Sequence, residues 1–202
     1  MNNSKLVDSL VESGVLKTPR LIEAFLSVDR IDFVPQELRA MAYDDNPLPI
    51  GSAQTISQPY TVAFMLELLQ ATSTDRVLDV GSGSGWTTAL LACMSKSVDA
   101  LERVEELVEF SKKNLEQYAF ANVSVHRAKK TLGLKGEQFD KILVSCAADE
   151  VPRPLLDQLS VGGVMVIPVM NSIVKVIKKS EEDIQMQEYP GFVFVPLIRD
   201  DL

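Results

Sequence analysis

The sequence predicts an α/β fold with a doubly wound, mostly parallel sheet, an N-terminal helical cap and an antiparallel C-terminal edge. From Thr74 onward, short apolar runs alternate with helical patterns, which is typical of a parallel sheet with helices on both faces. One run leads through the alternate glycines Gly81, Gly83 and Gly85 into a further apolar segment. The periodic segments before residue 74 are helical, and the last two apolar runs follow each other without a helix.

The N-terminal third is predicted to form the helical cap. Apolar residues at helical spacing, preceded by polar caps or a proline, predict helices over 6–11, 20–27 and 59–70. Residues 32–35 are expected to be extended and residues 37–43 to form a short helix. Residues 44–58 contain two prolines, one glycine and few periodic apolar positions, which predicts a loop.

The remainder is predicted to form the core. Strands are expected over 77–80, 97–101, 123–126, 139–145 and 164–169, and helices over 86–94, 104–118 and 152–159. Two strand-like runs, 173–178 and 192–197, predict the antiparallel edge. Since no repeat or linker divides the chain, we expect a single domain over 1–202. Within it, residues 1–73 would form the cap and active-site loop, and residues 74–202 the Rossmann-like core.

Composition excludes several classes of protein. The formal net charge is −8, with only a small basic cluster near Arg127, so no nucleic-acid partner is expected. Cys93 and Cys146 lie in apolar sequence and are predicted to be reduced core residues. His126 is the only histidine, which leaves no metal-ligand spacing. A polar N-terminus and the absence of long apolar runs predict a cytoplasmic protein with no membrane partner.

Residues 76–86 combine a strand, a glycine turn and the start of a helix. Glycines let the backbone approach a ligand, and a helix start offers unpaired N–H groups. The dinucleotide fingerprint needs a glycine at its sixth position, which is Trp86 here. A dinucleotide oxidoreductase is therefore disfavoured, while an ordinary turn without a ligand remains the alternative.

Two carboxylates accompany this turn. Glu102 ends the next predicted strand, about 20 residues past the glycines, where a carboxylate can accept hydrogen bonds from ribose hydroxyls. This favours adenosine, the alternative being a solvated strand end. Asp79 is expected either to hold the turn through backbone N–H bonds or to be a plain strand-end carboxylate. The candidate cofactor-binding residues are Asp79, Gly81, Ser82, Gly83, Ser84, Gly85 and Glu102.

A second stretch, residues 47–60, has the sequence Pro-Leu-Pro-Ile-Gly-Ser-Ala-Gln-Thr-Ile-Ser-Gln-Pro-Tyr. Together with Val-Leu-Asp-Val-Gly-Ser-Gly-Ser-Gly at 77–85, it resembles the protein-L-isoaspartate O-methyltransferase family. Matches at Arg30 with 33–35, at 147–148 and at 194–197 extend the resemblance over nearly the whole chain. It implies an S-adenosyl-L-methionine-dependent methyltransferase that repairs proteins or peptides containing isoaspartyl residues, and we expect a monomer.

The reaction implied by the resemblance needs no general base, because the acceptor is a carboxylate that is already ionised at neutral pH. Orientation and removal of water are the demands that remain. Ser57 matches the family's active-site serine and can orient the carboxylate by one hydrogen bond, with Thr55 as a second donor. Alternatively, Ser57 caps the helix that Pro59 opens.

Two departures from the family pattern keep other functions open. Ala128-Lys129-Lys130 replaces a usual Gly-Asp-Gly, whose aspartate lies beside the adenine in that family; a lysine cannot accept a hydrogen bond from the exocyclic amine. The glycine and glutamine usual after Pro168-Val169 are absent as well. A methyltransferase acting on another acceptor and a degenerate, non-catalytic binding protein are the alternatives.

Overall fold

Seven strands form one mixed sheet, preceded by a separate two-stranded hairpin, in the computed structural model, which describes residues 2–197. The helices are α1 (Asn3–Glu12), α2 (Pro19–Ser27), α3 (Pro59–Leu69), α4 (Trp86–Ala92), α5 (Glu105–Glu116) and α6 (Arg153–Gln158). The hairpin strands are β1 (Leu48–Gly51) and β2 (Gln54–Ile56). The sheet strands are β3 (Arg76–Val80), β4 (Ser97–Glu102), β5 (Val123–Arg127), β6 (Phe139–Val144), β7 (Leu159–Val169), β8 (Ser172–Lys178) and β9 (Ile184–Pro190).

The sheet has the strand order β5-β4-β3-β6-β7-β8-β9. Its first five strands in this order run parallel, and β8 is antiparallel to both β7 and β9. The chain moves outward from β3 to β5 and then returns to β6 on the other side of β3. A change of direction of this kind leaves a crevice at the carboxyl ends of the strands, where ligands bind in open α/β sheets. The predicted fold class is confirmed.

Apolar side chains cover both faces of the sheet, because neighbouring residues of a strand point to opposite sides. Val77 belongs to the cluster that includes Phe25, Leu66 and Trp86 from the helices. Leu78, the next residue, belongs to a second cluster with Leu155 of α6 and Ile142 and Met165 of the sheet. Burying one leucine fully stabilises a fold by about 2 kcal/mol, so both faces contribute strongly.

Two local expectations for the cap are wrong. Residues Arg30–Phe33 form a 3-10 helix, so the extended chain expected over 32–35 begins only at Val34, and Asp29 caps the helix by accepting a hydrogen bond from Ile31 N. The 44–58 stretch contains the hairpin β1–β2 instead of an irregular loop. Its tip, Gly51-Ser52-Ala53, has φ values of +95°, +49° and +55°. Such turns usually carry Asn-Gly or Asp-Gly, and the absence of that signal concealed the hairpin. The short helix predicted over 37–43 is a 3-10 helix over Gln36–Met41.

The C-terminal edge also differs from expectation. Residues 192–197 form no strand; only an isolated bridge joins Pro196 to Ala147. The last strand is β9, which has the sequence Ile-Gln-Met-Gln-Glu-Tyr-Pro and is largely exposed. Edge strands often carry polar residues on both faces, so β9 lacks the apolar alternation by which strands are recognised. A further correction concerns Cys93, which is exposed, whereas Cys146 is buried as expected.

Across residues 2–197, no helix combines the length and the apolar character needed to cross a membrane. Within the same residues, no three His, Cys, Asp or Glu side chains are grouped so that they could hold a metal ion.

Candidate active site

A cavity of about 1130 Å³, including its open mouth, lies at the carboxyl ends of β3, β4, β5 and β6. Its wall consists of residues 54–57, 80–84, 86–87, 101–104, 128–133, 145–146 and 195–197. The fold therefore brings the predicted acceptor residues Thr55 and Ser57 into one cavity with the glycine turn and Glu102. Asp79 and Gly85 do not line this cavity.

The glycine turn is attached to the neighbouring strand. The backbone N–H groups of Gly81 and Ser82 donate to the carbonyl of Leu101 at 2.8 and 3.1 Å. Gly81, Gly83 and Gly85 have φ values of +78°, +52° and +89°, which residues with a side chain rarely adopt. The turn thus needs its glycines for conformation, and β4 determines where it lies.

Glu102 supports this turn from the next strand. Only 7% of the residue is exposed, and its Oε2 accepts a hydrogen bond from Gly83 N at 3.0 Å. Its Oε1 accepts from Arg103 N at 2.7 Å and from Val104 N at 2.9 Å. A carboxylate has about four acceptor positions, so Oε2 retains capacity for a ligand hydroxyl. Glu102 therefore holds the turn and also faces the cavity.

Asp79 lies beneath the turn, fully buried. Its Oδ2 accepts hydrogen bonds from the hydroxyls of Thr87 at 3.1 Å and Thr88 at 2.6 Å. The expectation that Asp79 bonds to the backbone of the glycine turn is wrong, because the two threonines of α4 take that place. Burial raises the pKa of Asp79 to about 6; the threonine bonds oppose this rise and the nearby charge of Glu102 adds to it.

Several buried polar atoms around the turn have no hydrogen-bond partner among residues 2–197. They include Ser82 Oγ, Trp86 Nε1 and Asp79 Oδ1. Ser82 and Trp86 line the cavity, and buried polar groups are normally paired. Together with the free capacity of Glu102, Ser82 Oγ and Trp86 Nε1 fit a ligand that carries its own donors and acceptors, as a nucleoside with an amino-acid portion does. Ser84 is buried, and its carbonyl accepts a hydrogen bond from Asn114 Nδ2.

The acceptor loop, residues 44–58, presents two hydroxyl groups to the same cavity. Within the described part of the chain, the hydroxyls of Thr55 and Ser57 form no hydrogen bond, so both are available to a ligand. The alternative role of Ser57 as a helix cap is wrong. The residue before α3 is Gln58, and the carboxylate of Asp45 accepts the hydrogen bond from Tyr60 N at 2.8 Å.

Arg30 is a site residue that sequence reasoning did not assign, although it belongs to the family match. Its guanidinium is fully buried and lies 5.2 Å from the ring centroid of Trp86. It donates hydrogen bonds to four carbonyl groups of one loop region, those of Ala42, Asp44, Asn46 and Ser57. Burial lowers the pKa of Arg30 to about 10, against the opposing effect of nearby Asp45 and Asp44.

Gln158 is a second residue that the sequence did not assign, and it holds the cavity wall at 128–133. Its Oε1 accepts from Leu134 N at 2.7 Å, and its Nε2 donates to the carbonyls of Leu132 at 3.0 Å and Pro154 at 2.7 Å. Gly133 has a φ of +81°, and a Cβ there would overlap the Gln158 side chain. The match at Gln158 was visible in the sequence, but not its contacts.

The two departures from the family pattern lie in different places. Lys129 and Lys130 are exposed and line the cavity, so the first departure changes the charge of the wall. Residues 170–172 do not line it. Met170 and Asn171 form the turn between β7 and β8, and Ser172 begins β8. The carbonyl of Asn171 accepts from the backbone N–H groups of Gly191 and Phe192.

Neither the cysteine nor the histidine forms a nucleophilic pair in this cavity. Cys146 lies in the wall, and burial raises the pKa of its thiol to about 12, so the thiol stays protonated. His126 belongs to β5, with its Nε2 2.9 Å from Asp99 Oδ1, and does not line the cavity. The wall is suited to binding and orientation of polar groups.

Known proteins resemble this chain over its full length. The family model described as protein-L-isoaspartate(D-aspartate) O-methyltransferase matches residues 1–201. Protein-L-isoaspartate O-methyltransferase 2 of Pelobacter propionicus is 42% identical over 197 residues, covering 95% of this chain and 87% of the relative. Protein-L-isoaspartate O-methyltransferase of Petrotoga mobilis is 43% identical over 199 residues, covering 96% and 93%.

A solved structure agrees with these relatives. The crystal structure of a Plasmodium falciparum protein, described as a protein-L-isoaspartate O-methyltransferase in complex with S-adenosyl-L-homocysteine, superposes with a TM-score of 0.88 at 27% identity. The superposition covers 99% of this chain and all of that chain. By sequence and by fold, the chain belongs to the protein-L-isoaspartate(D-aspartate) O-methyltransferase family.

Proposed function

We propose that this protein transfers the methyl group of S-adenosyl-L-methionine to the free carboxylate of L-isoaspartyl residues in damaged proteins, as a repair enzyme. The observation that carries the proposal is one cavity that combines two unpaired hydroxyls, Thr55 and Ser57, with the glycine turn and Glu102. Family membership and relatives of about 40% identity with this name support it.

The part of the site that holds the methyl donor, called the donor side below, consists of Asp79, Glu102 and the turn from Gly81 through Gly85. Glu102 can accept a hydrogen bond from a ribose hydroxyl through Oε2, and Ser82 Oγ offers an unpaired donor. When bound, S-adenosyl-L-methionine supplies a methyl group on a positively charged sulfur. The carboxylates of Asp79 and Glu102 favour a cationic ligand here, because charges interact more strongly in a partly buried site than in water.

The acceptor side is formed by the hairpin and the residues that follow it. The hydroxyl of Ser57 donates to the substrate carboxylate and Thr55 supplies a second donor, which orients an oxygen toward the methyl group without a general base. The hairpin also covers the turn, since a Cβ on Gly83 would lie 3.2 Å from Ile50 Cδ1. Such cover helps to exclude water from the carboxylate.

A degenerate binding protein is the second candidate, favoured by one observation. Lys129 and Lys130 line the wall, and neither can accept a hydrogen bond from an exocyclic amine. Calorimetry with S-adenosyl-L-methionine separates the two candidates: micromolar affinity supports the enzyme, and no binding at millimolar concentration supports the degenerate protein. Methylation of a different carboxylate, with none of isoaspartate, would indicate the other-acceptor alternative.

The direct test uses labelled S-adenosyl-L-methionine and an isoaspartyl peptide, with the same peptide containing ordinary aspartate as control. We expect a base-labile methyl ester on the isoaspartyl peptide alone. Ser57→Ala should lower kcat/KM by about 10- to 100-fold, the effect of losing one hydrogen bond to a charged group. The exposed Ser73→Ala, outside the cavity, should retain wild-type activity. No ester formation beside a working control enzyme would contradict the proposal.

We further propose one methyltransferase domain over residues 1–202, with 1–73 as cap and acceptor side and 74–202 as core. The monomeric state, the cytoplasmic location and the absence of a nucleic-acid partner remain predictions from the sequence.

A further inference from the structure

Arg30 is a charged residue with no exposed surface, placed where the cap meets the core. Within residues 2–197, no carboxylate is close enough to pair with it as a salt bridge. A buried charge is costly unless other groups replace its hydration. The carbonyl groups that do so here must therefore be held firmly by the same side chain.

The four carbonyls that Arg30 binds follow one another along the acceptor loop and the turn before it. They lie 12, 14, 16 and 27 residues further along the chain, and the distances are 2.7 Å to Ala42, 3.3 Å to Asp44, 3.0 Å to Asn46 and 3.1 Å to Ser57. A guanidinium has five donors in a rigid planar fork. One side chain thus binds backbone carbonyls on both sides of the hairpin.

The other contact of Arg30 is on the donor side. Its guanidinium carbon lies 5.2 Å from the ring centroid of Trp86, which begins α4 directly after the glycine turn. The indole is itself held in place by Phe25, with the ring centroids 5.6 Å apart. Arg30 therefore contacts the end of the donor turn and the backbone of Ser57 at the same time.

We infer that Arg30 is a positioning residue for methyl transfer. It holds the backbone of Ser57 close to Trp86, the residue that follows the glycine turn. This inference rests on the proposed function. The reaction depends on alignment, and small misplacement of an orienting group can cost a large factor in rate. The helices α1 and α2 have their own buried contacts through Leu6, Leu21 and Phe25, so loss of Arg30 should affect the acceptor loop more than the cap.

The test compares Arg30→Lys and Arg30→Met with the control Arg20→Met. Arg20 donates to the carbonyl of Met94 at 2.8 Å, which joins the start of α2 to the segment after α4 without touching the acceptor loop. The measurements are kcat and KM for an isoaspartyl peptide, the calorimetric Kd of S-adenosyl-L-methionine, the melting temperature, and amide hydrogen exchange along the chain.

We expect kcat/KM to fall about 100-fold in Arg30→Met and about 10-fold in Arg30→Lys, which retains part of the donor set. The Kd of S-adenosyl-L-methionine should stay within about threefold of wild type. Exchange should accelerate at residues 44–57 and remain unchanged in β3 and β4. Arg20→Met should lower the melting temperature and leave kcat/KM and the exchange of residues 44–57 unchanged.

A folded Arg30→Lys with wild-type kcat and KM would overturn the inference. Amide hydrogen exchange that rises equally over the whole chain in the Arg30 variants, with peptide and cofactor binding lost in proportion, would also overturn the inference. Such a result would mean that Arg30 only stabilises the fold. If the wild-type protein itself forms no ester, the proposed function fails. The exchange at residues 44–57 then still decides whether Arg30 orders this loop.

Discussion

The cavity has two halves that are built differently. The donor half, around Gly81–Gly85, is attached to the sheet: Leu101 and Glu102 of the adjacent strand accept three of its backbone N–H groups. The acceptor half, residues 44–58, lies outside the sheet and is held by side chains, chiefly those of Arg30 and Asp45. A donor site therefore comes with the fold, whereas the acceptor loop depends on a few contacts and can change with the substrate.

The largest effect is expected for a substitution that disrupts the donor half alone. Glu102→Ala leaves three partly buried backbone N–H groups without their acceptor and should weaken S-adenosyl-L-methionine binding about 100-fold, or about 3 kcal/mol. Glu105→Ala, which removes an exposed partner of Arg127, is the matched control for calorimetry. Hydrogen exchange at residues 44–58 should not change. An unaltered Kd would show that Glu102 has no part in the cofactor site.

Asp79→Asn tests the charge beneath the turn. The pKa of Asp79 is raised from 3.8 to about 6, so the native protein binds this proton more tightly than the unfolded chain. Its stabilising effect is complete below about pH 4 and is lost as the pH rises through about 6. The free energy of unfolding of the variant should therefore exceed that of wild type by about 3 kcal/mol at pH 7.5, with no difference near pH 4.

The same substitution should weaken binding of the cationic cofactor about 10-fold at pH 7.5, because one negative charge is removed. Denaturant unfolding at several pH values and calorimetry provide both measurements. Equal stability curves for variant and wild type at every pH would refute the assigned pKa shift.

Asp45→Ala tests whether the acceptor half can be weakened without a change in the donor half. Its carboxylate accepts hydrogen bonds from Tyr60 N and Gln58 Nε2, and loss of a helix cap costs about 1 kcal/mol. We expect KM for an isoaspartyl peptide to rise a few-fold and the Kd of S-adenosyl-L-methionine to stay constant. Asp44→Ala keeps the carbonyl that Arg30 binds and serves as control. A changed Kd would mean that the two halves are not independent.

The smallest expected effect concerns the tip of the hairpin. Ser52 and Ala53 have left-handed φ values of +49° and +55°, which Asn and Gly adopt with less strain. The double substitution Ser52→Asn with Ala53→Gly should stabilise the protein by about 0.5–1 kcal/mol and raise the melting temperature by about 1–4 °C. Ser73→Asn, in an exposed segment, is the control. A melting temperature of the double variant below that of wild type would contradict the idea that Ser52 and Ala53 are strained at this turn.

Sequence patterns predicted the sheet and the donor half well. Strands such as β3 and β4 are largely buried and therefore mostly apolar in their interior, and the glycines mark the turn directly. The strand β9 and the hairpin were missed because polar edge residues and an unusual turn carry no local signal. Ser57 was identified only through its resemblance to a family, since its neighbours in sequence do not show what it faces.

The sequence by itself determined the α/β class and the glycine turn, with Glu102 at the end of the next strand, because each depends on residues close together in the chain or on a simple period. The candidate hydroxyls of Thr55 and Ser57 came from the resemblance to the family. Only the tertiary structure decided that Asp79 bonds to threonines, that Arg30 gathers the acceptor loop, and that Gln158 holds the wall at 128–133. Asp79 binds the hydroxyls of two threonines on the helix that follows its strand. The contacts of Arg30 and Gln158 join a side chain to backbone groups of distant residues. Backbone carbonyl and N–H groups are alike at every position, so the sequence cannot indicate which of them a buried side chain will bind.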